Sequence, residues 1–194
     1  MDPATARVEV DGVALPLRPD LVYYLLYKPV GVVSTASDPQ GRPTVTGLVP
    51  AAARVYPVGR LDADSEGLII LTNDGDLAAH VAHPRHRVPK TYLARVSGSP
   101  GRRALRALTQ GVELEDGPAR ALQARLVSEQ SGEALVEVVM AEGRKREVRR
   151  LLAAVGHPVR ALVRTAIGPI HDATLRPGTW RHLTLDEIRA LYMA

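Results

Sequence analysis

Gly59-Arg60-Leu61-Asp62-Ala63-Asp64-Ser65-Glu66-Gly67-Leu68-Ile69-Ile70-Leu71-Thr72-Asn73-Asp74-Gly75 is the stretch from which the rest of this 194-residue sequence can be read. Three acids, Asp62, Asp64 and Glu66, alternate between two glycines. Behind them Leu68 to Leu71 is an uninterrupted apolar run, which predicts a buried strand, and Asn73-Asp74-Gly75 predicts the turn that ends it. A loop held at the end of a rigid strand is well placed to present side chains for chemistry.

Working outward, Val8 to Leu15 has Asp11-Gly12 between two alternating runs, a hairpin pattern. Leu21 to Tyr27 reads as a strand that is apolar on both faces, Thr44 to Leu48 as a helical turn, and Val55 to Val58 as a short strand leading into the loop. Downstream, Asp76 to Ala82 predicts a helix capped by Asn73 or Asp74, followed by a strand over 91–96 and a helix over 100–109. Strands follow over 119–127 and 134–140. A helix over 145–155 carries Val148, Leu151, Leu152 and Val155 as one apolar stripe. Strands over 159–167 and 180–183 lead to a last helix opened by the capping-box pattern Thr184-Leu185-Asp186-Glu187. Strands and helices interleave irregularly, which favours α+β over a doubly wound parallel sheet.

A chain of this length buries roughly 70% of its unfolded surface and needs no staples. It has no Cys, which excludes disulfides and thiolate metal sites, and no apolar run approaches a membrane span. A cytoplasmic protein is expected. The net charge of +4 hides an uneven distribution. Residues 80–95 hold Arg85, Arg87, Lys90 and Arg95 with three His and no acid, and residues 142–164 hold seven bases against Glu142 and Glu147. A basic patch on an otherwise acidic body points to a polyanion partner such as nucleic acid.

Taken alone, the alternating acids imitate the first half of a calcium loop, but the twelfth position is Asn73 where a bidentate Glu is needed. A magnesium-dependent nuclease fits them better and would also use the basic patch. A plain solvated turn fits them equally well. His80, His83 and His86 invite a zinc reading, which Pro84 between them opposes. Tyr92, beside Lys90, could be core or could stack on a nucleobase. No phosphate-cradling Gly loop, nucleophile elbow or dinucleotide fingerprint is present.

The sequence from Gly59 to Leu77 closely resembles the catalytic motif of the RsuA/RluB-type ribosomal RNA pseudouridine synthases. Tyr27-Lys28-Pro29-Val30-Gly31-Val32-Val33-Ser34-Thr35 resembles that family upstream. His83-Pro84-Arg85 with Val88-Pro89-Lys90-Thr91-Tyr92, and Glu142-Gly143-Arg144-Lys145-Arg146-Glu147-Val148-Arg149-Arg150-Leu151, resemble it downstream in the same order. So does the ending from Ile167 to Thr184.

The resemblance implies an enzyme that isomerises uridine to pseudouridine in ribosomal RNA, without metal or cofactor, as a cytoplasmic monomer. The Arg-Glu-Val-Arg-Arg-Leu wording leans towards 23S rather than 16S rRNA. A metal-dependent nuclease and a non-catalytic RNA-binding module stay open as alternatives. By resemblance Asp62 is the essential carboxylate, Arg149 the base paired with it, Tyr92 the tyrosine that stacks on the target base, and Arg60 the residue that fills the gap left by the flipped nucleotide. Arg85, Lys90, Arg144 and Arg146 are expected to contact RNA. The implied fold is a mixed, largely antiparallel sheet in two halves with flanking helices and a central cleft, forming a single catalytic domain over 1–194. Many members carry a small S4 domain first. Residues 1–20 resemble the hairpin and linker that follow it, with the S4 domain itself absent from the sequence.

Overall fold

The computed structural model describes residues 20–50 and 54–194, together with the backbone of two short strands near the start. Those two, β1 (Val8–Val10) and β2 (Val13–Leu15), pair antiparallel as the hairpin pattern predicts; the Asp11-Gly12 turn lies outside the described residues.

The main sheet grows around the apolar run. β5 (Glu66–Thr72) pairs antiparallel with β3 (Tyr23–Lys28) and with β4 (Tyr56–Val58). From Leu68 to Thr72 no residue of β5 is more than 1% exposed. Leu68 and Ile70 face a cluster built with α1 (Gly75–Ala82) and α4 (Leu185–Tyr192), while Ile69 and Leu71 face Tyr24, Leu26, Val45 and Val55. That is why the run is apolar at every position: both faces of the strand are covered. Each of these side chains contributes roughly 1.5–3 kcal/mol by leaving water. Both helices begin where the sequence predicts. Asp74 caps α1 through Asp76 N–H and Leu77 N–H, and Thr184 with Glu187 completes a capping box on α4.

The other half holds β6 (Lys90–Ser97), β9 (Gln123–Gln130), β10 (Glu133–Met140) and β11 (Val159–Ile167), antiparallel throughout. It is packed against α2 (Arg102–Gln110) and α3 (Glu147–Ala154). A small antiparallel pair, β7 (Val112–Leu114) with β8 (Gly117–Ala119), stands apart from the main sheet. β12 (Ile170–His171) and β13 (Trp180–His182) complete it, giving the strand order β13-β3-β5-β11-β6-β10-β9 among the described residues.

The two halves join at one short parallel junction, where Glu66 and Gly67 of β5 meet Val163 and Arg164 of β11. Gly67 has φ +111, and a Cβ there would lie 2.3 Å from the Arg164 carbonyl oxygen. Only glycine permits this approach. The architecture is the α+β arrangement expected, a mixed and mostly antiparallel sheet with flanking helices.

The helix α3 differs from the expectation at its start. It begins at Glu147 rather than at Lys145, because Arg146 adopts the left-handed conformation with φ 53 and ψ 30. The strand expected from Ala119 begins at Gln123. Ala119 instead ends the short pair β7–β8, which the sequence reading does not anticipate.

Candidate active site

The loop between β4 and β5 crosses the seam between the halves. Leu61 is 6% exposed and packs in the core of the far half with Tyr92, Val148 and Leu162, although the strand that follows it belongs to the near half. Asp62, the next residue, is thereby placed at the junction.

The backbone of this loop is bonded at every carbonyl from residue 60 to residue 64. Arg164 Nη1 donates to Arg60 O (3.4 Å) and Ser34 Oγ donates to Leu61 O (2.8 Å). Ser65 N–H donates to Asp62 O (3.0 Å), Gly31 N–H to Ala63 O (2.7 Å) and Arg149 Nη2 to Asp64 O (2.9 Å). Ser34 Oγ also accepts from Leu61 N–H (3.1 Å), and Arg164 Nε closes the far end on Leu68 O (2.7 Å). A loop so bonded holds its side chains without reorganisation, which is the condition for positioning a reactive group. The motif around Gly31 and Ser34 thus acquires a physical role: it fixes the backbone on either side of Asp62.

The arginines are arranged differently from the expectation. Arg149, 11% exposed, does not pair with the Asp62 carboxylate; it bonds Asp64 O, Ser65 Oγ (3.2 Å) and approaches the Asp64 carboxylate (3.4 Å). Its position on the first turns of α3 aims it at the loop backbone instead. Among the described residues, the cation that reaches the Asp62 carboxylate is Arg146, whose Nη1 lies 3.8 Å from Asp62 Oδ2. Arg146 forks onto both oxygens of Asp64 at 2.9 Å, and its left-handed backbone is what turns the side chain back across the cleft. The bond from Arg146 holds the Asp64 carboxyl below its usual range. Asp64 therefore gathers the two arginines beside Asp62, a role the sequence reading assigns to no residue.

Asp62 itself, 30% exposed, lines a cavity of about 330 Å³ with Arg60, Tyr92, Lys145 and Arg146. On its other side it lines a groove of about 560 Å³ with Ser34, Thr35, Arg42 and Arg60. The structure thus brings Asp62, Tyr92 and Arg60 to one cavity. Tyr92 is buried on β6, and its register partners are Val138 and Arg164. The Arg60 side chain is exposed and makes no hydrogen bond or ion pair among the described residues. Of the residues expected to contact RNA, Lys90 donates to Val81 O and Val88 O, both at 2.8 Å. Arg144 is bound up with Glu142, Glu147, Asp116 and the carbonyls of Gly117 and Pro118. Arg85 is exposed in the turn after α1, its Nε 2.9 Å from His86 Nε2.

Lys28 lies in the Tyr27–Thr35 motif, and the sequence assigns it no role. It is fully buried, donates to Pro29 O (2.9 Å), and burial lowers its ammonium pKa to about 8 despite the nearby carboxylates of Asp64, Asp62 and Glu66. No sequence signal distinguishes a buried Lys from the exposed majority. His80, His83 and His86 do converge, with ring centroids 4.3 Å and 6.3 Å apart, yet no group of described residues is arranged to hold a metal ion.

A family model for RNA pseudouridylate synthase matches residues 22–154. The chain is 50% identical over 198 residues to an uncharacterised RNA pseudouridine synthase of Mycobacterium tuberculosis, covering 100% of this chain and 78% of that protein. It is 40% identical over 188 residues to the ribosomal large subunit pseudouridine synthase B of Bacillus subtilis, covering 95% of this chain and 77% of that protein. A crystal structure of a pseudouridylate synthase superposes with a TM-score of 0.78 at 32% identity, over 88% of this chain and 74% of that one. The chain belongs to the RNA pseudouridylate synthase family, in its RsuA/RluB-type branch. It is accordingly an RNA-modifying isomerase. No helix among the described residues is long and apolar enough to cross a membrane.

Proposed function

We propose that this enzyme converts uridine to pseudouridine in large-subunit ribosomal RNA, as a single catalytic domain, and that Asp62 is the carboxylate that acts on the ribose. The observation that carries the reading is the placement of Asp62 at the seam of the two halves, on a backbone bonded at every carbonyl from 60 to 64 and open to cavities on both sides. The reaction breaks the C1′–N1 bond, turns the uracil and joins C5 to C1′; C5 loses a proton and N1 gains one, so the product is an isomer of the substrate. A carboxylate beside C1′ assists either as nucleophile at that carbon or as base on the sugar. Arg146 and Arg149, collected by Asp64, keep positive charge near it.

Tyr92, forming one wall of the same cavity, is suited to stack on the uracil while it turns. Reaching the base requires extruding it from its stack, at a cost of a few kcal/mol. Arg60, unpartnered and exposed at the mouth of both cavities, is placed to occupy the vacated position. Lys145, Arg85 and Lys90 then supply charge for the RNA backbone. The large-subunit target rests on the Bacillus subtilis relative, which is named for that subunit.

Pseudouridine mapping of ribosomal RNA from a strain lacking the gene tests this. One or a few large-subunit sites are expected to revert to uridine and to return when the wild-type gene is restored. Loss confined to 16S rRNA would refute the large-subunit target.

A further inference from the structure

Tyr92 also lines a third cavity, of about 290 Å³, that the reaction does not use. Lys90, Tyr92 and Arg164 line it, Lys90 and Tyr92 two residues apart on β6 and Arg164 opposite Tyr92 on β11, so all three share one face of the sheet. Arg60 stands at its edge, and Val58, Val81 and Pro84 give it an apolar side.

The donors here are incompletely matched. Arg164 is 3% exposed; its Nε and Nη1 are bonded to the carbonyls of Leu68 and Arg60, but Nη2 is buried without a hydrogen-bond partner among the described residues. The Lys90 ammonium has three N–H groups and places two of them on carbonyls. Two cations thus line one open cavity, and the carboxylate in its wall, Glu142, is bonded to Arg144. Burial, and then the neighbouring Arg164, lower the Lys90 pKa to about 8. A buried unmatched donor beside a second cation is costly unless an anion meets both. The space left over suits a sugar or base rather than a lone ion.

We infer that this cavity is a nucleotide subsite: it receives the phosphodiester flanking the target uridine on Arg164 Nη2 and Lys90 Nζ, with the adjoining nucleoside against Val58, Val81 and Pro84. The inference rests on the RNA-modifying activity proposed above. Tyr92 would then form the partition between the flipped uridine and its neighbour, so that one strand is gripped at two successive nucleotides.

The test plugs the cavity without removing a charge. Ala82, exposed at the end of α1, lines it, and Ala82→Phe fills it. The substrate is a stem-loop carrying the mapped uridine. Wild-type turnover on it is the control that keeps failure of this inference apart from failure of the activity itself. Expected for Ala82→Phe is an unchanged melting temperature, kcat within about twofold and KM raised about 10-fold, the scale of one charge-assisted contact. Replacing one flanking phosphate by a neutral methylphosphonate should raise the wild-type KM about as much, and add nothing further in Ala82→Phe. An unchanged KM in Ala82→Phe, or equal methylphosphonate penalties in both proteins, would overturn the subsite. So would binding of inorganic phosphate in the cavity with no effect of Ala82→Phe on the KM for RNA, which would make it a free-anion site.

Discussion

Asp62, Asp64 and Glu66 look alike in the sequence, and their surroundings in the fold differ. Asp64 collects Arg146 and Arg149, Glu66 opens β5, and Asp62 faces open space. Spacing alone leaves the three as a cation site or a plain solvated turn; the resemblance singles out Asp62. Neither indicated that Asp64 would be the one to hold the arginines, because that depends on how the loop turns over Leu61. The same close fit makes Gly67 intolerant of change. Gly67→Ala would press a Cβ against the Arg164 backbone, so we expect a loss of about 3 kcal/mol or more, read as the shift in a urea unfolding midpoint. Ser34→Ala removes the hydroxyl that both donates to and accepts from Leu61. It should lower stability by about 1 kcal/mol and kcat by more than that loss of fold accounts for, measured at a temperature where the variant is fully folded.

At the scale of elements, long periodic or fully apolar stretches were legible. β5, β11, α1 and α4 lie within a residue or two of where the pattern places them, because burial on a fixed face imposes the pattern. The three-residue strands β7 and β8 were missed, being too short to show alternation. The start of α3 departs from the sequence pattern for a different reason. Arg146 fits the helical pattern, yet it takes a left-handed conformation that costs a non-glycine residue about 1 kcal/mol or more. That strain turns its guanidinium to Asp64 and Asp62. Arg146→Gly should therefore leave thermal stability unchanged or slightly raised while lowering kcat/KM at least about 10-fold. A parallel loss of stability and activity would mean that the arginine serves the fold alone.

For the whole molecule, the sequence carried the class of fold, and the order of the sheet came only from the structure. The parallel junction of β5 with β11 joins residues about a hundred positions apart, and no local pattern reports it. That junction makes one sheet of two halves, with the loop that carries Asp62 crossing between them. Its surroundings also hold the buried Lys28 and the partly buried Lys90, whose ammonium pKa values desolvation lowers to about 8. In the unfolded chain lysine titrates near 10.4, so between about pH 8 and 10 the unfolded state binds more protons than the folded one. Stability should consequently rise with pH across that window, and the cost of burying the ammonium is fully present below about pH 8. Lys28→Met should flatten roughly half of the rise, as followed by unfolding midpoints from pH 7.5 to 10. A steeper rise in the variant would contradict the burial of Lys28 as the cause.

The central claim is that Asp62, held at the seam, carries the isomerisation. Single-turnover pseudouridine formation on an unmodified large-subunit rRNA transcript, with wild-type protein and with Asp62→Asn, tests it most directly. The expected result is complete conversion at the mapped site by the wild type, and loss of at least about four orders of magnitude in rate by Asp62→Asn, with RNA affinity and melting temperature retained. Turnover by folded, RNA-bound Asp62→Asn within tenfold of the wild type would contradict it.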